Sequence, residues 1–192
     1  YLKRMYKIIK AHNPDGYLVN HVSYNLLIPT MSFTDIYYTG EHEYYEDLLK
    51  NRVRWTGKQR GIWPILLGGD AHVYEPMHWA YALLHGVSIW PQGPIARNDT
   101  QRKTVNLWQT YDRFGYRQAQ FIRYFAAEER GIARTDNAQV KCSLYLRRGE
   151  RALLVISNLS HEIAHATVTV DLQALGLPDI SAHNALTERP LE

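Results

Sequence analysis

A run of helix-strand alternations that gives way to two-residue periodicity predicts α/β followed by all-β structure. Three observations carry this expectation. Apolar runs such as "GYLVNHVSY" and "GIWPILLGGD" are near-continuous, as in strands buried on both faces. Segments of helical period separate them, and a parallel strand needs a crossover of about a dozen residues or more. Beyond residue 118, "VKCSLYLRRGERALLVISNLS" alternates apolar and polar, the mark of an antiparallel hairpin. Residues 1–118 hold four such strand-helix units, and a complete (β/α)8 barrel takes roughly 250 residues. The fold expected is therefore the second half of a (β/α)8 TIM barrel over residues 1–118. A C-terminal antiparallel β-sandwich is expected over residues 119–192.

Each element follows from local pattern. In "LKRMYKIIKA", Leu2, Met5, Ile8 and Ile9 share one face and Lys3, Arg4, Lys7 and Lys10 the other, so an amphipathic helix runs up to Asn13-Pro14-Asp15-Gly16. "GYLVNHVSY" is the first strand, "NLLIPTMS" a loop, "FTDIYYTGE" the second strand and "EYYEDLLKNRVRWTGKQ" one helix. "GIWPILLGGD" is the third strand. "EPMHWAYALLHG" is the best-marked helix, with Pro76 in its first turn and Gly86 just past its end. "VSIWPQG" is a fourth strand, and residues 100–114 a last helix. Arg148-Gly149-Glu150 turns the long hairpin; "HATVTVDLQAL" and "SAHNALTERP" read as further strands.

Composition narrows the function classes. Basic residues are scattered and the net charge is +3, so neither a nucleic-acid tract nor a membrane-surface helix is present. No apolar run approaches the roughly 20 residues of a membrane span. Cys142 stands alone in an alternating strand and reads as a packed thiol. The 14 tyrosines and five tryptophans suit either an aromatic core or surfaces that grip sugars. Tyr1 already lies in a helical pattern with no initiator methionine or signal peptide, so the chain is read as a piece of something longer.

The strand end "DIYYTGE", the strand "ILLGGD", the helix-strand "WAYALLHGVSIWP" and the hairpin "LLVISNLS" together resemble the C-terminal part of large bacterial glycoside hydrolases. The order of elements is similar to that of glycoside hydrolase family 123 and its uncharacterised relatives, over nearly the whole chain. The resemblance implies a (β/α)8 catalytic barrel followed by a β-sandwich, with carbohydrate as substrate and no cofactor. The four strands would be barrel strands five to eight. It leans toward a periplasmic or extracellular location and implies nothing about oligomeric state. In characterised members an adjacent Asp-Glu pair on an earlier strand does the chemistry, assisted by the substrate's acetamido group. That pair would precede Tyr1, and no residues here correspond to it.

Barrel enzymes gather their substrate site at the C-terminal ends of the strands. Those ends are expected near Asn20-His21, Gly40-Glu41, Gly69-Asp70 and Trp90-Pro91. Glycoside hydrolysis commonly uses two carboxyl groups, about 5–5.5 Å apart for retention and about 6.5–9.5 Å for inversion. Neighbouring strands lie about 4.8 Å apart, so Glu41 and Asp70 fit either case as catalytic candidates. Gly40 before Glu41 and Gly68-Gly69 before Asp70 permit abrupt strand ends. His21, Tyr38 and Trp90 are the substrate-binding candidates, with Tyr38 chosen over Tyr37 to face the interior. Each has a plainer role open to it: a helix-dipole charge for Glu41, a turn or N-cap for Asp70, core packing for His21 and Trp90. Asn158-Leu159-Ser160 fits a glycosylation sequon that reads as a chance match. Two rival classes stand beside this reading. One is a metal-dependent barrel hydrolase using Asp70, His72, His21 and His42; the other is a non-catalytic glycan-binding barrel.

Overall fold

A computed structural model of the chain describes residues 1–21, 27–38, 45–50, 52–57, 62–67, 76–90, 99–177 and 180–191. Helix α1 (Leu2–His12) leads to β1 (Val19–His21), α2 (Ile28–Met31) and β2 (Ile36–Tyr38). Then come α3 (Tyr45–Lys50), α4 (Arg52–Trp55), β3 (Trp63–Leu67), α5 (Pro76–Leu84), β4 (Ser88–Trp90) and α6 (Asp99–Phe114). The strands form one parallel sheet in the order β1-β2-β3-β4, each beside its predecessor in sequence.

Register sorts the strand residues onto two faces. Asn20, Tyr37 and Pro64 stand in one row, and Tyr37 is fully buried among Leu48 of α3 and Met77, Tyr81 and Ala82 of α5. That face is the one covered by helices. The alternate row holds His21, Tyr38, Ile65 and Ser88, preceded by Val19 and Ile36. Val19, His21 and Ser88 are exposed there, and Ile36, Tyr38 and Ile65 only half-buried. Among the described residues, nothing covers this second face as the helices cover the first.

After a 3-10 turn at Tyr116–Gln118 the chain forms β5 (Gln120–Ile122), α7 (Tyr124–Glu129), β6 (Ala133–Thr135), β7 (Val140–Arg147), β8 (Arg151–Asn158), β9 (Val168–Val170) and α8 (Leu172–Leu175). Strands β5, β7 and β8 make one antiparallel sheet, β6 and β9 another. The β7–β8 hairpin pairs Val140 with Asn158 through to Arg147 with Arg151, as its alternation required. Ile122, Ala133, Cys142, Leu144 and Leu146 share one core with Val168 and Val170, so both sheets contribute to it.

Several local expectations are corrected. The stretch read as a loop, "NLLIPTMS", holds α2, whose four residues are too few to show a period; Pro29 sits in its first turn, where a missing N–H costs nothing. Of the helix read over residues 43–59, α3 and α4 are described, and residue 51 between them lies outside the described residues. The strand reading of "DLQAL" fails because Asp171 Oδ1 accepts the Ala174 N–H at 2.9 Å, an N-cap, and Gly176 (φ 69) ends the turn of helix between them. In "SAHNALTERP" a turn replaces the strand: Asn184 Oδ1 accepts from the amides of both Leu186 and Thr187, leaving a lone bridge between His183 and Pro190. Strands β5 and β6 and helix α7 are too short to have shown a period.

The two parts meet at the end of α5, which packs on β8. Ser143 Oγ donates to the Leu84 carbonyl at 2.6 Å and accepts the Tyr124 N–H at 2.8 Å. Leu159 packs against the core of the parallel sheet, and Leu83 joins Phe114, Phe121, Tyr145 and Val155 in a core between the parts. Gly86 lies at φ 63, and a β-carbon there would stand 2.9 Å from the Phe121 ring.

Two substitutions test this joint. Gly86→Ala forces a side chain into a left-handed conformation and against Phe121, and should cost at least about 1 kcal/mol in urea unfolding. Adding Phe121→Leu should recover part of that loss, so the double-mutant cycle should be non-additive. Ser143→Ala leaves the buried Tyr124 N–H unmade and should cost about 1–3 kcal/mol by the same measurement.

Candidate functional site

The C-terminal ends of β1 and β2 place His21 and Tyr38 directly opposite each other. Their rings stack, with centroids 4.5 Å apart and planes 25° from parallel. The stack stands on the open face of the sheet, because Tyr37, one residue earlier, is the one buried under the helices. His21 is exposed and Tyr38 half-buried. Two flat rings with polar edges make a surface of the kind that holds an amphipathic ligand. Trp90 ends β4 opposite Leu67, at a strand position of the same parity as Tyr38 and His21.

The opposite end of these strands is pinned. Asp35, just before β2, accepts the Leu18 N–H through Oδ2 at 2.8 Å and pairs through Oδ1 with Lys10 Nζ at 2.9 Å. Lys10 also donates to the Gly16 carbonyl at 2.7 Å. The hydrogen bond to the Asp35 carboxylate raises the Lys10 ammonium above its usual range. Arg117 Nη1 donates to the Tyr17 hydroxyl at 2.8 Å, tying the approach to β1 to the turn before β5. Register is thus fixed at the base of β1 and β2, and their tips carry His21 and Tyr38.

Glu41 and Asp70 lie outside the described residues, as do His42 and His72. In sequence each carboxylate follows its strand by three residues, Glu41 after Tyr38 and Asp70 after Leu67, and β2 and β3 are neighbours. Among the described residues no three His, Cys, Asp or Glu side chains are grouped to hold a metal, and no helix is long and apolar enough to cross a membrane. Asn158 is committed to a turn: its Nδ2 donates to the Glu162 carbonyl at 2.7 Å and its Oδ1 accepts from the Ser160 amide and hydroxyl.

Residues 103–188 match the family model described as Glycoside hydrolase 123, C-terminal domain. The C-terminal part of the chain is therefore similar to a glycoside hydrolase 123 domain. The matched stretch begins inside α6 and takes in both antiparallel sheets and α8. This likeness to a glycoside hydrolase family is the one that the order of elements implied. No curated protein and no solved structure matches the chain.

Within the matched stretch the lone cysteine is a core residue. Cys142 is buried between the sheets, and burial pushes its thiol up to about 11. At pH 8 only about one thiol in a thousand is then ionised. Ellman's reagent should leave the native protein unlabelled for hours at pH 8 and label one thiol on denaturation. Sequence reasoning missed His85, which stands in the place of a last-turn base before Gly86 yet is wholly buried. Its flanking residues, Leu84 and Val87, were the available sign that this helix end is enclosed.

Proposed function

We propose that the chain is the C-terminal portion of a glycoside hydrolase that cleaves glycosidic bonds in oligo- or polysaccharides by carboxylate acid-base catalysis. The observation that carries this reading is the match of residues 103–188 to the glycoside hydrolase 123 C-terminal domain, in a chain that also holds a four-stranded parallel sheet. In this reading residues 1–118 are the last four βα units of a (β/α)8 barrel and residues 119–192 its β-sandwich. The strand order is that of consecutive barrel units. The exposed Val19 and the half-buried Ile36 fit an inner face that further strands would enclose.

The site then lies at the strand tips. His21 and Tyr38 offer a stacked platform to a sugar ring, and Trp90 ends β4 at a strand position of the same parity. Glu41 and Asp70 follow adjacent strands and serve as proton donor and base, or hold sugar hydroxyls, with partners from earlier strands. A carboxylic acid protonates the departing glycosidic oxygen, and nearby negative charge stabilises the oxocarbenium-like transition state. No cofactor is required for either step.

The full-length enzyme, assayed on a panel of chromogenic glycosides, tests this. Glu41→Gln keeps shape and removes charge, and turnover should fall about 10²-fold or more if Glu41 is a general acid or base. Tyr38→Ala should act mainly on KM, because the platform grips the ground state as well as the transition state. Glycan binding without cleavage of any glycoside would place the protein among non-catalytic binders instead.

A further inference from the structure

The joint between the parallel sheet and the C-terminal domain contains a titratable group with no role in the proposed chemistry. His85 follows α5 and is fully buried. Its Nδ1 lies 2.7 Å from the Tyr81 carbonyl, which only accepts, so the neutral ring carries its proton on Nδ1. Nε2 is then a bare acceptor, buried and without a hydrogen-bond partner among the described residues. A second proton would have to sit on Nε2, where no described acceptor meets it. The ring packs edge-to-face on Tyr124 of α7 at 5.4 Å.

The surrounding contacts gather at the joint, and one of them crosses it. The His85 carbonyl accepts the Gly57 N–H at 2.6 Å, the Leu84 carbonyl accepts from Ser143 of β7, and Ser143 in turn receives the Tyr124 N–H. The titratable and charged groups facing the ring offer a cation no relief. From α5 there is Tyr81, through its carbonyl alone; from α7, Tyr124, whose hydroxyl is bound by Arg52 of α4 and which also senses Glu128. Cys142, beside Ser143 on β7, is a neutral thiol.

We propose that His85 is an acid-sensitive latch: its neutral ring, packed on Tyr124, locks the end of α5 against α7 of the C-terminal part, and protonation releases the joint. Burial lowers the imidazole from the ordinary 6.5 to about 4, against the Tyr81 carbonyl, which raises it. The opened state takes its proton near 6.5 and the closed state near 4. The latch is therefore at full strength above pH 6.5 and weakens as pH falls from there toward 4.

Hydrogen exchange on the full-length protein, corrected for intrinsic rate, reads this directly. Between pH 7.5 and pH 5, protection of the Gly57 and Tyr124 amides should fall about tenfold or more, with the β7–β8 ladder amides little changed. His85→Gln keeps an N–H for the Tyr81 carbonyl and cannot titrate, so its joint amides should lose the pH dependence. Unchanged protection in the natural protein, or an equal fall in His85→Gln, overturns the proposal. Should that variant fail to fold, an NMR titration of the His85 ring decides. A midpoint below 6.5 supports the latch and one at or above 6.5 removes it.

Discussion

The hydroxyl of Ser143 spans two kinds of architecture with two hydrogen bonds, one given to the last carbonyl of α5 and one taken from the first turn of α7. Around it the packing is equally shared. Helix α5 buries Met77, Tyr81 and Ala82 against the parallel sheet, while Leu83 lies with Phe114, Tyr145 and Val155 on the other side. A helix enclosed this way has no solvent stripe, which accounts for its sequence, "PMHWAYALL", being apolar almost all round. α1, by contrast, keeps one apolar and one basic face because solvent meets it. The close approach of Phe121 to Gly86 and Gly57 depends on the absence of side chains at both. Were α5 to shift, the parallel sheet would lose its helix layer and the antiparallel sheet its neighbour together.

That arrangement bears on the site through distance rather than contact. The C-terminal domain reaches the parallel sheet at α5 and, by way of Arg117 and Tyr17, near the base of β1. Neither contact touches His21 or Tyr38. The strands are held at their starts by Asp35 and Lys10. The pinning lies at the strand starts, away from the tips that carry His21 and Tyr38. The joint also explains how a histidine comes to be buried with one nitrogen unmet among the described residues. The Tyr81 carbonyl and the Tyr124 ring fix its orientation, and the neutral tautomer fits.

Much of this was legible before any coordinates. Near-continuous apolar runs separated by helical periods announced parallel strands, and they pair in parallel. The alternation in "VKCSLYLRRGERALLVISN" announced a hairpin, whose eight pairs run in register around Arg148-Gly149-Glu150. Pro76 and Gly86 marked both ends of α5, and Gly86 takes the positive φ that such a position asks for. Errors fell where an element was too short to show a period, as in α2 and α7. They also fell where a side chain outbid the pattern: Asp171 capping α8, and Asn184 capturing two amides.

The sequence by itself determined secondary structure wherever burial is one-sided or continuous over several residues, because hydrophobic period is a local property of the chain. It also carried, in the ordered pattern of elements, the likeness to glycoside hydrolase 123 that residues 103–188 show. Tertiary structure alone decided which of two adjacent tyrosines enters the core. Alternation says that Tyr37 and Tyr38 face opposite ways, but only the position of α3 and α5 makes the Tyr37 side the covered one. It alone paired His21 with Tyr38 across 17 residues of chain, because register between parallel strands depends on how the crossover packs. And it alone enclosed His85, whose burial comes from β7 and α7, elements distant in sequence that meet the end of α5 only once the chain is folded.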